Sequence, residues 1–524
     1  MATGLGGALL NGALRFADRT DWIARPLNRY MIGKTVSVAR YRPHPLSTVH
    51  DYPSWRGLTD TAYSGRHLKP APARSQPPVE AVQALFRRRT TTPRLCPKST
   101  CLFPAFAQYL TDGFIRTETD DTIPDRLKRT TSNHEIDLCP LYGRTREQTD
   151  ALRLRSATPG ERGRLRSQMI DGEEYAPFLY KDGQRDPAFD VLDKPLGLQR
   201  PGGPDDPTAP DPERRDTIFA FGGDRANASP QVAMINTLLL REHNRLAGEI
   251  ETAHPDWDDD RVFETARNTV IVIFIKIVVE EYINHISPMP FHFRADPKAV
   301  WRADWNRPNW ITTEFSLLYR WHALVPDAFV WSEKVVPLAE ILMDNTHLLK
   351  GGIAGLARDL SAQPAWEIAP HNTADALLHI EAASILQGRE CDLASYAEYR
   401  DYVDLPRPRS FADITSDAET AAELKALYGK PENVEFYPGL FMEDRMPNSP
   451  LPSLIMRMVA VDAFSQALPN PLLSEHVFKE PTFSKPGWTA INETKTLGDL
   501  VKRNTPGGSG ADIYMTRRDW QEED

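Results

Sequence analysis

Apolar residues recur along this chain at helical spacing. Ile235, Leu239, Leu246 and Ile250 fall at multiples of three to four and predict one buried stripe on a helix. From Val270 to Tyr282 the residues are apolar nearly all round, the pattern of a helix at the centre of a core. Leu454, Ile455, Met458, Val459 and Ala463 repeat the stripe near the C-terminus. Alternation of period two, the mark of strands, is scarce. The chain therefore reads as mainly α. Prolines at 201, 204, 207, 210 and 212 cannot continue a helix and predict a surface loop there. Gly507, Gly508 and Gly510 predict a loosely attached tail over 505–524.

Residues 1–45 mix apolar positions such as Leu9, Leu10, Phe16, Trp22 and Tyr30 with Arg15, Arg19, Arg25, Arg29, Lys34, Arg40 and Arg42. Short helices of this composition lie in a membrane interface or pack as a pair on the body of the same protein, and both readings stand. The rest of the chain is acidic, and a net charge of −10 over 524 residues argues against a nucleic-acid partner. Four scattered cysteines are too few for a secreted disulfide framework. Arg15, Asp18 and Arg19 interrupt any apolar leader, and the run Val270–Val279 is half the length needed to cross a bilayer and contains Lys276. A cytoplasmic protein without a signal peptide or transmembrane helix, with any membrane contact peripheral, is expected.

The candidate chemistry lies in Tyr319-Arg-Trp-His322. Three residues apart in a helix-forming run, the phenol and the imidazole are expected on one helix face. A neutral imidazole there can ligate a haem iron while the phenol stands near the porphyrin edge, close enough to become a radical. The same spacing is met more often by two ordinary core residues.

The surrounding motifs select between these. His50-Asp-Tyr-Pro-Ser-Trp55, Phe106-Ala-Gln108, His134-Glu-Ile-Asp-Leu138, Leu240-Arg-Glu-His-Asn-Arg-Leu246, Lys276-Ile-Val-Val-Glu-Glu-Tyr282 and Val434-Glu-Phe-Tyr-Pro-Gly439 follow one another in an order that resembles the animal haem peroxidase superfamily, and within it the cyclooxygenase and fatty-acid dioxygenase branch. The resemblance implies a single large, mainly α haem-peroxidase-like domain over 46–504, preceded by the amphipathic region 1–45. It implies haem b on His322 and a radical at Tyr319, with a long-chain or unsaturated fatty acid and O2 as substrates. Tyr282 resembles the tyrosine that hydrogen-bonds the catalytic phenol. Ser465 resembles the channel serine, Met289 replaces a tyrosine that helps to hold the substrate carboxylate, and Arg40 and Arg42 are the candidates to hold it here. The epidermal-growth-factor-like module of vertebrate cyclooxygenases is missing.

The distal side departs from the family pattern. Gln108 matches, but Asp112 stands where the peroxide-using members have a histidine. A carboxyl shuttles the same proton only if burial raises its ordinary pKa of about 3.9; the competing reading is that Asp112 caps or pairs with a cation. Arg225 resembles the distal arginine of peroxidases and α-dioxygenases, which stabilises bound peroxide, and the alternative is that it anchors a haem propionate. Ala228 excludes an ester bond to haem at that point, and Gly113 makes calcium at the usual site doubtful. His243, Arg241 and Glu242 read as a buried polar network. The expected activity is fatty-acid dioxygenation through Tyr319; the alternatives are a peroxidase or peroxygenase that uses Asp112, and a haem-binding relative with little activity.

Overall fold

Two long helices, Pro230–Ala253 and Asp259–Ile277, form the centre of the molecule. Proline opens the first at a position that needs no backbone donor. The second starts where the Asp258 side chain accepts the Arg261 amide, which satisfies one orphan donor of its first turn. The predicted stripe holds: Ile235, Leu239, Leu246 and Ile250 are fully buried. Each such side chain contributes about 1.5–3 kcal/mol by leaving water. Polar residues inside these helices are paired, as Glu242 is by Arg245, Arg503 and Asn504; against the burial that raises its carboxyl, the two arginines hold it down at about 2. His243 bonds the Tyr142 hydroxyl at 2.9 Å and the Gly163 carbonyl at 2.8 Å, and burial lowers its pKa to about 3.

The computed structural model describes residues 5–37, 46–71, 76–89, 92–196, 215–507 and 512–523. About half of the molecule is helical, and its sheets are two-stranded ribbons. Three of these are hairpins, Gln168–Ile170 with Glu173–Tyr175, Tyr180–Lys181 with Gln184–Arg185, and Ala328–Trp331 with Lys334–Pro337. Each turns on two positive-φ residues, Asp171-Gly172, Asp182-Gly183 and Ser332-Glu333, the geometry that matches strand twist. The helix Leu102–Asp112 packs on the first of the pair, Ser453–Ala467 packs on the turn that follows the second, and Leu378–Glu390 and Ser453–Ala467 both pack on the short helix Thr313–Leu318. All four cysteines are buried and free. Among the described residues no helix is long and apolar enough to cross a membrane.

The N-terminal region forms two helices, Leu5–Asp18 and Asp21–Val36. The second is fastened to the body through Asn28, which exchanges two 3.0 Å hydrogen bonds with the Arg294 backbone, and through the Arg29–Asp296 ion pair at 2.6 Å. Its buried face is Ala24, Asn28, Ile32 and Val36. The outer surface of the pair leaves Phe16 66% and Trp22 78% exposed.

The expected loose tail needs correction for residues 512–523. Thr100 donates to the Met515 carbonyl, Arg517 donates to that of Lys98, and Met515 itself is buried. Glu522 pairs with Arg15 and Glu523 with Arg445, so this segment ties the first helix to the body. The loop predicted over 201–212 lies outside the described residues.

Candidate active site

The helix Thr313–Leu318 is short for a local reason. The Thr312 hydroxyl caps its start by accepting the Phe315 amide, and the Trp321 indole donates to the Leu318 carbonyl at 2.6 Å, satisfying an acceptor that a longer helix would use. Tyr319 takes φ −100°, ψ 18° as the chain leaves the helix, and His322 opens a separate 3₁₀ turn, His322–Leu324. The two residues therefore do not share one continuous helix face, contrary to the expectation from their spacing. Trp321 packs on the tyrosine side of the turn. Its ring lies 4.9 Å from that of Tyr319, 6.4 Å from that of Tyr282 and 5.5 Å from that of Phe103.

Tyr282 reaches this cluster from the helix Asp259–Ile277, which widens into a π-helical turn over Val278–Ile283. Such turns rotate a side chain off the regular helical register and recur at functional sites. The Tyr282 hydroxyl is buried without a formed hydrogen bond but couples to that of Tyr319. Burial pushes the Tyr319 phenol well up, the Asp462 carboxylate adds to this, and Tyr282 acts against it. Tyr319 is thus a neutral phenol at physiological pH. Asp462 itself is bonded to His67 at 3.3 Å, and His67 to the Tyr402 hydroxyl at 3.2 Å.

His322 is 17% exposed, and its Nδ1 donates to Glu381 Oε1 at 3.1 Å. That bond leaves Nε2 as the nitrogen with a lone pair, the requirement for a neutral imidazole ligand. Glu381 lies on the buried stripe of Leu378–Glu390 with Leu378, Ser384 and Ile385.

Gln108 and Asp112 stand one turn apart on Leu102–Asp112. The Asp112 carboxyl is buried, its Oδ2 has no partner, and no ion pair holds it among the described residues. Burial, more than the opposing charge of Arg225, raises it to about 7. The charges of Arg116 and Arg320 also act to lower it, without an ion pair to either among the described residues. Arg225 follows Gly222, where a Cβ would stand 2.0 Å from the Gly143 amide nitrogen, so only glycine lets this loop lie so close. The Arg225 guanidinium donates to the Ile115 carbonyl at 2.8 Å and borders a polar cavity of about 190 Å³ shared with Arg116, Arg144, Asp193 and Asp224. Burial lowers the Arg320 pKa and repulsion from Arg225 adds to this, while Tyr437, Glu381 and Asp112 act against it. Neither Arg225 nor Arg320 forms an ion pair among the described residues.

Other expected positions are less closely joined. The Ser465 hydroxyl turns back on its own helix, donating to the Val461 carbonyl at 2.8 Å. Met289 is half-buried in the turn after Tyr282, its amide bonded to Ser287 Oγ at 3.2 Å. No hydrogen bond or ring contact ties either to Tyr319 among the described residues. Arg40 and Arg42 lie outside the described residues. The sequence reading missed Glu381, Tyr437, Arg320 and Asp462 as members of the site. A carboxylate at helical spacing from Leu378 and Ile385 was the signal available for Glu381.

The animal haem peroxidase family profile matches residues 105–514. Prostaglandin G/H synthase 1 of Rattus norvegicus is 32% identical over 477 residues, covering 88% of this chain and 74% of that protein. Among solved structures, the fatty acid alpha-dioxygenase of Oryza sativa superposes with a TM-score of 0.69 at 16% identity, over 87% of this chain and 84% of that one. Peroxidase A of Dictyostelium discoideum does so with a TM-score of 0.64 at 19% identity, over 85% of this chain and 92% of that one. At these identities the two structures speak for the fold, and the sequence match speaks for descent. The chain belongs to the animal haem peroxidase family of haem-dependent oxidoreductases.

Proposed function

We propose that this protein is a fatty-acid dioxygenase in which His322 holds the haem iron and Tyr319 abstracts hydrogen from the substrate. The observation that carries the reading is the gathering of the buried phenols of Tyr319 and Tyr282 against Trp321, the residue immediately before His322. The donor set fits haem. An imidazole with its Nδ1 already engaged offers Nε2, and two unneutralised guanidiniums, Arg225 and Arg320, suit the two propionates. When bound and treated with peroxide, haem supplies a one-electron oxidising equivalent.

The rest is the work of the chain. Tyr319, kept protonated by burial, gives up its hydrogen atom as a unit, and Tyr282 orients its hydroxyl. The phenoxyl oxygen then takes a hydrogen atom from the fatty acid, O2 adds to the carbon radical, and the peroxyl radical recovers hydrogen from Tyr319. Relatives named as prostaglandin G/H synthases and fatty acid alpha-dioxygenases support this substrate class. The exposed apolar surface of the two N-terminal helices, beside their arginines, supports a peripheral seat on a membrane.

Removing only the Tyr319 hydroxyl tests the proposal. Tyr319→Phe keeps the ring volume, so it should abolish fatty-acid-dependent oxygen uptake and alter the radical signal seen by electron paramagnetic resonance after peroxide, while haem content stays the same. Undiminished oxygen uptake would place the chemistry at the haem. A second reading, a peroxidase or peroxygenase, is favoured by Asp112 alone, since a buried carboxyl near pH 7 is poised as a general acid–base.

A further inference from the structure

The reading of His322 as iron ligand leaves open what sets the strength of that ligand. The Glu381 carboxylate is 1% exposed and receives three donors. The His322 ring donates to Oε1 at 3.1 Å, the Thr373 hydroxyl donates to Oε1 at 3.2 Å, and the Tyr437 hydroxyl donates to Oε2. Tyr437 comes from a different helix, Phe436–Met442, and its ring is packed against Phe86 and Phe441. A buried charged carboxylate is costly unless it is bonded at both oxygens. Here one of its bonds goes to the imidazole proposed to hold the iron, an arrangement that fixes the ring tautomer and raises the basicity of the free nitrogen.

We propose that Glu381 is the positioning residue of the haem ligand: it holds His322 with Nε2 toward the iron and drives the imidazole toward imidazolate, to a degree set by the competing hydroxyls of Tyr437 and Thr373. This rests on the reading of His322 as ligand. Substitutions at Glu381 and at its two hydroxyl partners act with opposite signs. Glu381→Gln keeps the shape of the acceptor but removes its charge, so the imidazole becomes a weaker donor to iron. Tyr437→Phe and Thr373→Val remove donors that share the carboxylate, so Glu381 pulls harder on the His322 proton and the imidazole becomes a stronger one.

The test uses the full-length, haem-loaded protein, with redox titration for the ferric/ferrous midpoint potential and resonance Raman spectroscopy of the ferrous form for the iron–imidazole stretch. Glu381→Gln should raise the potential, lower the stretching frequency and weaken haem retention about 10–100-fold. Tyr437→Phe and Thr373→Val should lower the potential and raise the frequency. A residue that merely fills space would move neither quantity, or would move all three variants in the same direction, and either result overturns the inference. Should Glu381→Gln fail to fold, the two hydroxyl variants carry the test, and an unchanged potential in both rejects it. His322→Gly, with and without added imidazole, separates this failure from that of the ligand assignment. Loss of the Soret band and its recovery with imidazole, beside an unmoved Glu381→Gln, sinks only the role of Glu381. An intact spectrum in His322→Gly sinks both.

Discussion

Asp112 shows how far one side chain's setting changes its chemistry. In water its carboxyl is ionised above about pH 4 and is a poor proton donor at neutrality. Buried on the inner face of Leu102–Asp112 with one oxygen unpartnered, it is pushed up to about 7. If it shuttles the peroxide proton, the carboxylate is the accepting form, so the bimolecular rate with hydrogen peroxide should rise with pH through about 7 and level off above it. Asp112→Asn should lose that rise together with about 10²–10⁴-fold of the rate, measured by stopped flow. Equal rates and equal pH profiles in the two proteins would leave Asp112 without a catalytic part.

At the scale of elements, departures from regular structure place the site. The π turn at Val278–Ile283 aims Tyr282 at the aromatic cluster, and the early end of Thr313–Leu318 frees Tyr319 and His322 to point as separate units. The N-terminal helices serve two ends at once. The inner face of Asp21–Val36 is hydrogen-bonded to the body, while Phe16 and Trp22 project outward. Burying either ring in a lipid interface is worth about 1.5–3 kcal/mol, or more than tenfold in partitioning. Phe16→Glu with Trp22→Glu should therefore weaken binding to phosphatidylcholine–phosphatidylserine vesicles by well over tenfold in a sedimentation assay and leave the haem spectrum unchanged. Vesicle binding equal to that of the unmodified protein would mean that this face meets no membrane. The hairpins show a further limit of pattern reading. Asp171-Gly172 and Asp182-Gly183 carry the dipeptide that favours such turns, whereas Ser332-Glu333 offers no such cue.

Across the whole molecule, distant parts of the chain hold each other. The segment 512–523 is joined to residues near 98–100, to Ser361 and to Arg445. Because Met515 is buried at the centre of that seam, Met515→Ala should cost about 2–5 kcal/mol, seen as a lower denaturation midpoint. A cost near zero would show that the seam opens freely. Titration is likewise a property of the assembled fold. Burial raises Asp112, Glu135 and Glu281 to about 7 each. Each then keeps a proton that the unfolded chain releases near pH 4, so its contribution to stability is full below pH 4 and is lost as pH rises through 7. His134, His243 and His285 pull the other way, since burial lowers all three and the unfolded chain takes up protons below about pH 6.5. Combining Asp112→Asn, Glu135→Gln and Glu281→Gln should therefore make stability rise more steeply between about pH 5 and 7 than in the unmodified protein. Parallel urea-midpoint profiles for the two would contradict these shifts.

Local pattern was enough for much of this. Stripes at helical period determine which faces are buried, because burying them is the only way such helices leave water, and the core positions from Ile235 to Ile250 could be named from spacing alone. The order of motifs was enough for the family. What spacing could not decide was geometry set by neighbours far along the chain. The Trp321 indole, not the helical repeat, ends the helix before Tyr319, and a carboxylate 59 residues away orients His322. Likewise Asp112 acquires its acidity from the burial that surrounding elements impose, and residues 512–523 become ordered through partners hundreds of positions earlier. Such effects depend on desolvation and on contacts between distant segments, and those exist only once the chain has closed on itself.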